Sequence, residues 1–265
     1  MNTPASIAHE QLEEFLTFAN TLADLARPIT LGFFRQPLDI ENKADTSPVT
    51  IADKNTELAL QQAILEQYPE HGVSGEEHGD VNADKALVWI IDPIDGTKSF
   101  VSGIPLFGTL IGLMHHGQPV VGLADIPALN ERWSGASVLG SNYNGSPCHT
   151  GSTELADARL YCTTPDMLNH GQQQQFTALT SKCRFRGFGG DCYNYTRLAS
   201  GNIDIVMEAD LKPCDILPLV PIIEGAGGVI TDFNGQALTM NNYRSALAAA
   251  NPGLHQLALS TILQA

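Results

Sequence analysis

The chain has 265 residues, 43% of them hydrophobic, enough to bury a sizeable core in one large unit or two closely packed halves. Its formal charge of −15, from 14 basic and 29 acidic residues, argues against a nucleic-acid backbone or an anionic membrane as the main partner. Five cysteines without zinc-ligand spacing, no leader-like N-terminus and no apolar run near the ~20 residues that span a bilayer together point to reduced thiols in a cytoplasm.

In residues 6–34 the apolar positions Ile7, Leu12, Phe15, Leu16, Ala19 and Leu22 recur at helical spacing, so an amphipathic helix is expected, kinked near Pro28. A short strand over 37–40 and a loop over 41–49 should follow. Thr50 can N-cap a second helix running to Gln67. Asp53 falls in its first turn, where the helix dipole alone already favours an acid. After a break at residues 68–72 comes Gly75-Glu76-Glu77. Adjacent side chains in extended backbone face opposite ways, so at most one of these glutamates can join a site.

Residues 86–91 are an apolar run that reads as a buried strand, ending at Asp92-Pro93-Ile94-Asp95-Gly96-Thr97. Pro93 fixes φ and should turn the chain, which lets Asp95 point back towards Asp92, while Gly96 leaves backbone N–H groups unscreened. Two hard oxygen donors beside free N–H groups suit a divalent cation that holds a phosphate; the alternative is an ordinary acidic turn. On the same logic Lys43 is either a solvated charge or a phosphate-facing cation. The acidic balance fits a bound cation, since clustered carboxylates must be neutralised before an anion can approach.

Strands are expected over 107–114 and 119–126, and a hairpin-rich sheet up to about residue 150, giving long helices against an antiparallel sheet. From about residue 158 the rhythm changes: strands at 160–164, 184–188, 203–207, 229–231 and 246–250 alternate with helices at 169–181, up to 200, 216–224 and 252–263. No linker or repeat divides the chain, so residues 1–265 are read as one domain with halves at 1–150 and 151–265.

There is no GxxxxGK[ST] loop, GxSxG elbow or HExxH helix, and no cysteine has an arginine six positions on. Asp92 and Asp95 are three apart rather than two, which argues against an aspartyl-phosphate mechanism. What remains is a set of scattered carboxylates: Asp53, Glu76, Asp92, Asp95 and Asp215. With Gly75-Glu76-Glu77, Trp89-x-x-Asp92-Pro93-Ile94-Asp95-Gly96-Thr97-x-x-Phe100 and Asp215-x₉-Glu224-x-Ala226-Gly227-Gly228 in order, nearly the whole chain resembles the inositol monophosphatase family.

The resemblance implies a layered α/β/α/β sandwich, often a homodimer, using Mg²⁺, frequently inhibited by Li⁺ and acting on a small phosphorylated metabolite. It implies that Glu76, Asp92 and the Ile94 carbonyl hold one ion, and Asp92, Asp95 and Asp215 a second. A third ion would sit more weakly near Glu76 and Asp53. Thr97 and Asp53 would orient a metal-bound water, and the N–H groups of Gly96 and Thr97 would grip phosphate oxygens.

The run from Asp95 to Phe100 into Ile104-Pro105-Leu106-Phe107-Gly108-Thr109-Leu110, Gly190-Asp191-Cys192-Tyr193 and Leu211-Lys212-Pro213-x-Asp215 look like the histidinol-phosphatase branch. That substrate carries an ammonium and an imidazole, so Asp191 and Glu208 are candidate selectivity acids. Their plain alternatives are a helix N-cap and a strand-end acid. The residue before Asp215 is aromatic in these families and is Cys214 here, so a stacking wall is missing. Inositol-1-phosphatase, a 3′-phosphoadenosine nucleotidase and a catalytically idle binding module are the alternative functions.

Overall fold

The computed structural model describes residues 7–37, 41–42, 48–136 and 138–265. The chain runs through α1 (His9–Phe33), β1 (Glu41–Asn42), β2 (Pro48–Val49), α2 (Ile51–Gln67), β3 (Gly72–Gly75), β4 (Asp80–Val81), β5 (Leu87–Asp95) and α3 (Thr97–Val101). A meander follows: β6 (Gly108–His115), β7 (Gln118–Ile126), β8 (Glu131–Ala136), β9 (Gly140–Tyr143) and β10 (Ser146–Cys148). Then come β11 (Arg159–Cys162), α4 (His170–Thr180), β12 (Phe185–Phe188), α5 (Cys192–Ala199) and β13 (Ile205–Ala209). The last elements are α6 (Pro213–Ile216), α7 (Val220–Gly225), β14 (Val229–Thr231), β15 (Ser245–Ala249) and α8 (Pro252–Leu263).

Among the described residues, eight strands form a sheet in the order β10-β9-β8-β7-β6-β5-β3-β4, and five form another in the order β12-β11-β13-β15-β14. The apolar stripes of α1 and α2 (Phe15, Leu22, Leu60, Ile64) cover one face of the large sheet at Trp89, Ile91 and Ile111. Its other face, at Ile90 and Leu110, packs through Leu198, Leu217 and Ile222 onto Val206 and Ala248 of the second sheet. Leu179 of α4 and Ile262 of α8 close the far side over Ile205 and Leu247. This is the expected α/β/α/β order with an added outer helical layer.

Four expectations need correction. The large sheet is mixed, because β3 pairs parallel to β5. Within 41–49, β1 and β2 pair antiparallel. Lys43 and most of the strand expected over 37–40 lie outside the described residues. The helix expected over 216–224 is broken into α6, a 3-10 turn (Leu217–Leu219) and α7, since Pro218 and Pro221 lack the N–H groups a continuous helix needs.

The broken segment lies directly on the large sheet because Gly112 and Gly122, paired across β6 and β7, present no side chains there. A Cβ at Gly122 would stand 1.9 Å from the Pro218 carbonyl oxygen. Gly122→Ala should therefore lower stability by about 2–3 kcal/mol, read as a lower urea midpoint with unchanged slope.

Candidate active site

The fourth correction creates the site. β5 does not stop at Asp92 but continues through Pro93 to Asp95. In a regular strand, residues three apart face opposite ways. Here Asp92 pairs with Leu110 and Asp95 with Gly108, so β5 carries one residue more than β6 between these pairs. That bulge returns Asp95 to the face of Asp92. Pro93 fits it because it has no N–H to give to the ladder. Thr109 Oγ donates to the Pro93 carbonyl at 2.9 Å, and the Ile94 N–H donates to Asp92 Oδ1 at 3.0 Å.

Asp215 arrives from α6, where its Oδ2 accepts the Lys212 N–H at 2.9 Å. Carboxylate oxygens of Asp92, Asp95 and Asp215 lie within 4.8 Å of one another. A second group shares Asp92: its oxygen, one from Glu76 and the Cys214 Sγ also lie within 4.8 Å of one another. Glu76 further accepts from Lys212 Nζ at 3.0 Å, and Asp95 Oδ2 accepts the Cys192 N–H at 2.7 Å. Burial, then the neighbouring carboxylates, hold Asp92 and Asp95 well above the usual carboxylate range. Burial first, with Glu76 adding to it, pushes Asp215 to about 6.

Buried like charges this close are stable only when protonated or neutralised by a cation. Three aspartates and a glutamate are hard donors of the kind that hold Mg²⁺, so the side chains present fit that ion. Cys214 adds a soft donor beside Glu76 and Asp92.

Glu76, Asp92, Ile94, Asp95, Gly96, Thr97, Asp191 and Asp215 all line one cleft of about 580 Å³. Asp53 and Glu208 do not. Asp53 is the N3 acid of the Thr50 capping box, its Oδ2 accepting the Thr50 N–H at 2.8 Å and the Thr50 hydroxyl at 2.6 Å. Burial raises it to about 6. Its charge still reaches Asp92, adding to the repulsion there. Thr97 Oγ donates to the Ile94 carbonyl at 3.1 Å rather than to Asp53.

Glu208 lines a smaller recess of about 100 Å³ together with Asp95, Asp191 and Tyr195. It is an interior residue of β13, held by the Thr163 N–H (2.8 Å), the Thr163 hydroxyl (2.7 Å) and the Tyr195 hydroxyl (3.0 Å). Burial pushes it to about 7. Asp191 occupies the N-cap position of α5 but makes no side-chain cap bond. Its carboxylate lies beside Ser99 and Lys98 instead, and a Cβ on Gly96 would stand 3.0 Å from its Oδ2. The N-cap alternative therefore does not account for its orientation.

Sequence reasoning overlooked Thr163, Lys212 as a partner of Glu76, and the position of Cys214 beside Glu76 and Asp92. Cys214 and Lys212 were findable from their closeness to Asp215 in the chain. Thr163 carried no signal, since it meets Glu208 from 45 residues away.

The cleft and its acids, on two stacked sheets, are those of a metal-dependent phosphomonoesterase. The inositol monophosphatase family model matches residues 11–265, and the chain belongs to that family. It is 40% identical to the bifunctional phosphatase IMPL2, chloroplastic, of Arabidopsis thaliana, over 98% of this chain and 78% of that one. It is 34% identical to the histidinol-phosphatase of Mycobacterium tuberculosis, over 93% of this chain and 97% of that one. Among solved structures, an inositol monophosphatase from Zymomonas mobilis superposes with a TM-score of 0.87 at 40% identity, covering 95% of this chain and 98% of the other. No described helix is long and apolar enough to cross a membrane.

Proposed function

We propose that the chain is a single Mg²⁺-dependent phosphatase domain that hydrolyses L-histidinol phosphate to L-histidinol, working as a homodimer in a cytoplasm. Glu76, Asp92 and the Ile94 carbonyl would hold one ion, Asp92, Asp95 and Asp215 a second, and Glu76 with Asp53 a third through water. When bound, such ions acidify a coordinated water and offset phosphoryl charge. Thr97 and Asp53 would orient the attacking water, and the N–H groups of Gly96 and Thr97, at the start of α3 where no helical carbonyl lies behind them, would hold phosphate oxygens.

The observation that carries the substrate reading is Asp191: a half-buried carboxylate, turned away from its own helix and set beside Gly96 in the cleft. A substrate ammonium placed there gains a charge-assisted hydrogen bond. Glu208, in the adjoining recess, supplies the second acid. Relatives named histidinol-phosphatase at 34% identity support the same reading. Inositol-1-phosphatase is the second reading, favoured by the likeness to the Zymomonas mobilis structure.

Initial rates on L-histidinol phosphate, myo-inositol 1-phosphate and 3′-phosphoadenosine 5′-phosphate with Mg²⁺ separate the readings. Asp191→Asn should cut kcat/KM for histidinol phosphate by about tenfold or more, the scale of one charge-assisted hydrogen bond, while sparing a phosphate ester without an amine. Equal losses on both esters, or far faster turnover of inositol phosphate, would remove the amine-binding role. No turnover of any ester would leave an idle binding module.

A further inference from the structure

We infer that Glu57 is a positioning residue: from α2 it clamps the turn after Gly75 and so sets where the Glu76 carboxylate stands in the cleft. The inference rests on the reading of Glu76 as a metal ligand. Glu57 is fully buried, at 0% exposure. Its Oε2 accepts the Glu77 N–H at 2.7 Å, and its Oε1 accepts the His78 N–H at 2.6 Å. Gln61 Nε2 donates to Oε1 at 3.1 Å, and His78 Nδ1 lies 3.3 Å from the same oxygen. A carboxylate taken fully out of water is tolerated only when its oxygens are bonded in this way, and bonds to an ionised acceptor are the strong ones.

Gly75 reports how closely the clamp is seated. A Cβ there would lie 2.2 Å from Glu57 Oε1 and 2.8 Å from Gln61 Nε2. The glycine before Glu76 is therefore required by the approach of the Glu57 carboxylate, at a backbone without positive φ. Asp53, Glu57 and Gln61 follow at four-residue spacing on one face of α2, whose Leu60 and Ile64 are locked into the core. The same helix face thus carries the Thr50 cap, the clamp and its glutamine support. A rigid, core-anchored helix fixes two consecutive N–H groups of a turn, and Glu76 is the residue immediately before them.

Glu57→Gln is nearly isosteric but turns an amide NH₂ against one of the two backbone N–H groups. On the full chain, Mn²⁺ binding by electron paramagnetic resonance and the half-saturating Mg²⁺ concentration should both weaken by about tenfold or more, with turnover at saturating Mg²⁺ largely kept. A merely structural role would lower the melting temperature and leave Mn²⁺ affinity unmoved. Gly75→Ala, which displaces the turn while keeping Glu57, should reproduce the metal defect, and Gly75→Ala with Glu57→Ala should be no worse than Glu57→Ala alone. Wild-type Mn²⁺ affinity in folded Glu57→Gln or Gly75→Ala overturns the clamp. Glu76→Gln serves as the reference: if it weakens Mn²⁺ while those two do not, the clamp alone fails. If it too binds Mn²⁺ normally, the ligand reading of Glu76 fails with it.

Discussion

Asp95→Asn is expected to lower turnover by about a thousandfold or more, while raising the melting temperature of the chain in EDTA. The two effects share one origin. Asp95 is half-buried; loss of water around its carboxylate raises its pKa, and the Asp191 and Asp215 charges raise it further. Removing its charge relieves that repulsion. The hydrogen bond it accepts from the Cys192 N–H is kept by the amide oxygen of asparagine, so the fold should survive. What is lost is an anionic donor in the Asp92–Asp95–Asp215 group. Phosphate release measured across a Mg²⁺ titration, with melting curves in EDTA, checks both halves. Unchanged turnover would take Asp95 out of the site, and a lower melting temperature would show that its charge is not the repulsive one.

What could be read from the sequence was local. The Thr50 N-cap, though not the reciprocal bond to Asp53 that makes it a capping box, was visible in the chain, as was the pairing of Asp92 with Asp95 around Pro93. The means of that pairing was not. A sharp turn and a bulge place the same two carboxylates together, and only the register against Leu110 and Gly108 on β6 distinguishes them. Contacts between distant segments were equally hidden: Lys212 reaches Glu76 across 136 residues. Glu57 reads in the sequence as an ordinary helix acid, because nothing in α2 announces which turn will close over it. The broken helix is a different kind of error. Pro218 and Pro221 stood in plain view, and the apolar run of residues 216–224 outweighed them. Burial in the contact between the sheets needs apolar residues but not a continuous helix, so hydrophobicity alone could not settle the backbone.

Mg²⁺ should stabilise the chain far more at about pH 8 than at about pH 5. Asp53 and Asp215 are raised to about 6 and Glu208 to about 7, and Asp92 and Asp95 are also held well above the usual carboxylate range. Each folded value lies above that of the unfolded chain, so the native state holds more protons between the two. The stability these protons contribute is fully present below the unfolded values near 4 and is lost as pH rises through the folded ones. A shift of about two units is worth roughly 3 kcal/mol per group before coupling among neighbours is discounted. In EDTA the melting temperature should therefore fall as pH rises through this window. Mg²⁺ requires the deprotonated acids, so its binding restores stability in the range where the protons have left. A gap of about 6–12 °C between Mg²⁺ and EDTA at alkaline pH, shrinking towards zero in acid, is the expected result. The gap should also contract in Asp95→Asn, where one of the repelling charges is already gone. A gap of equal size at both pH values would separate ion binding from these carboxylates altogether.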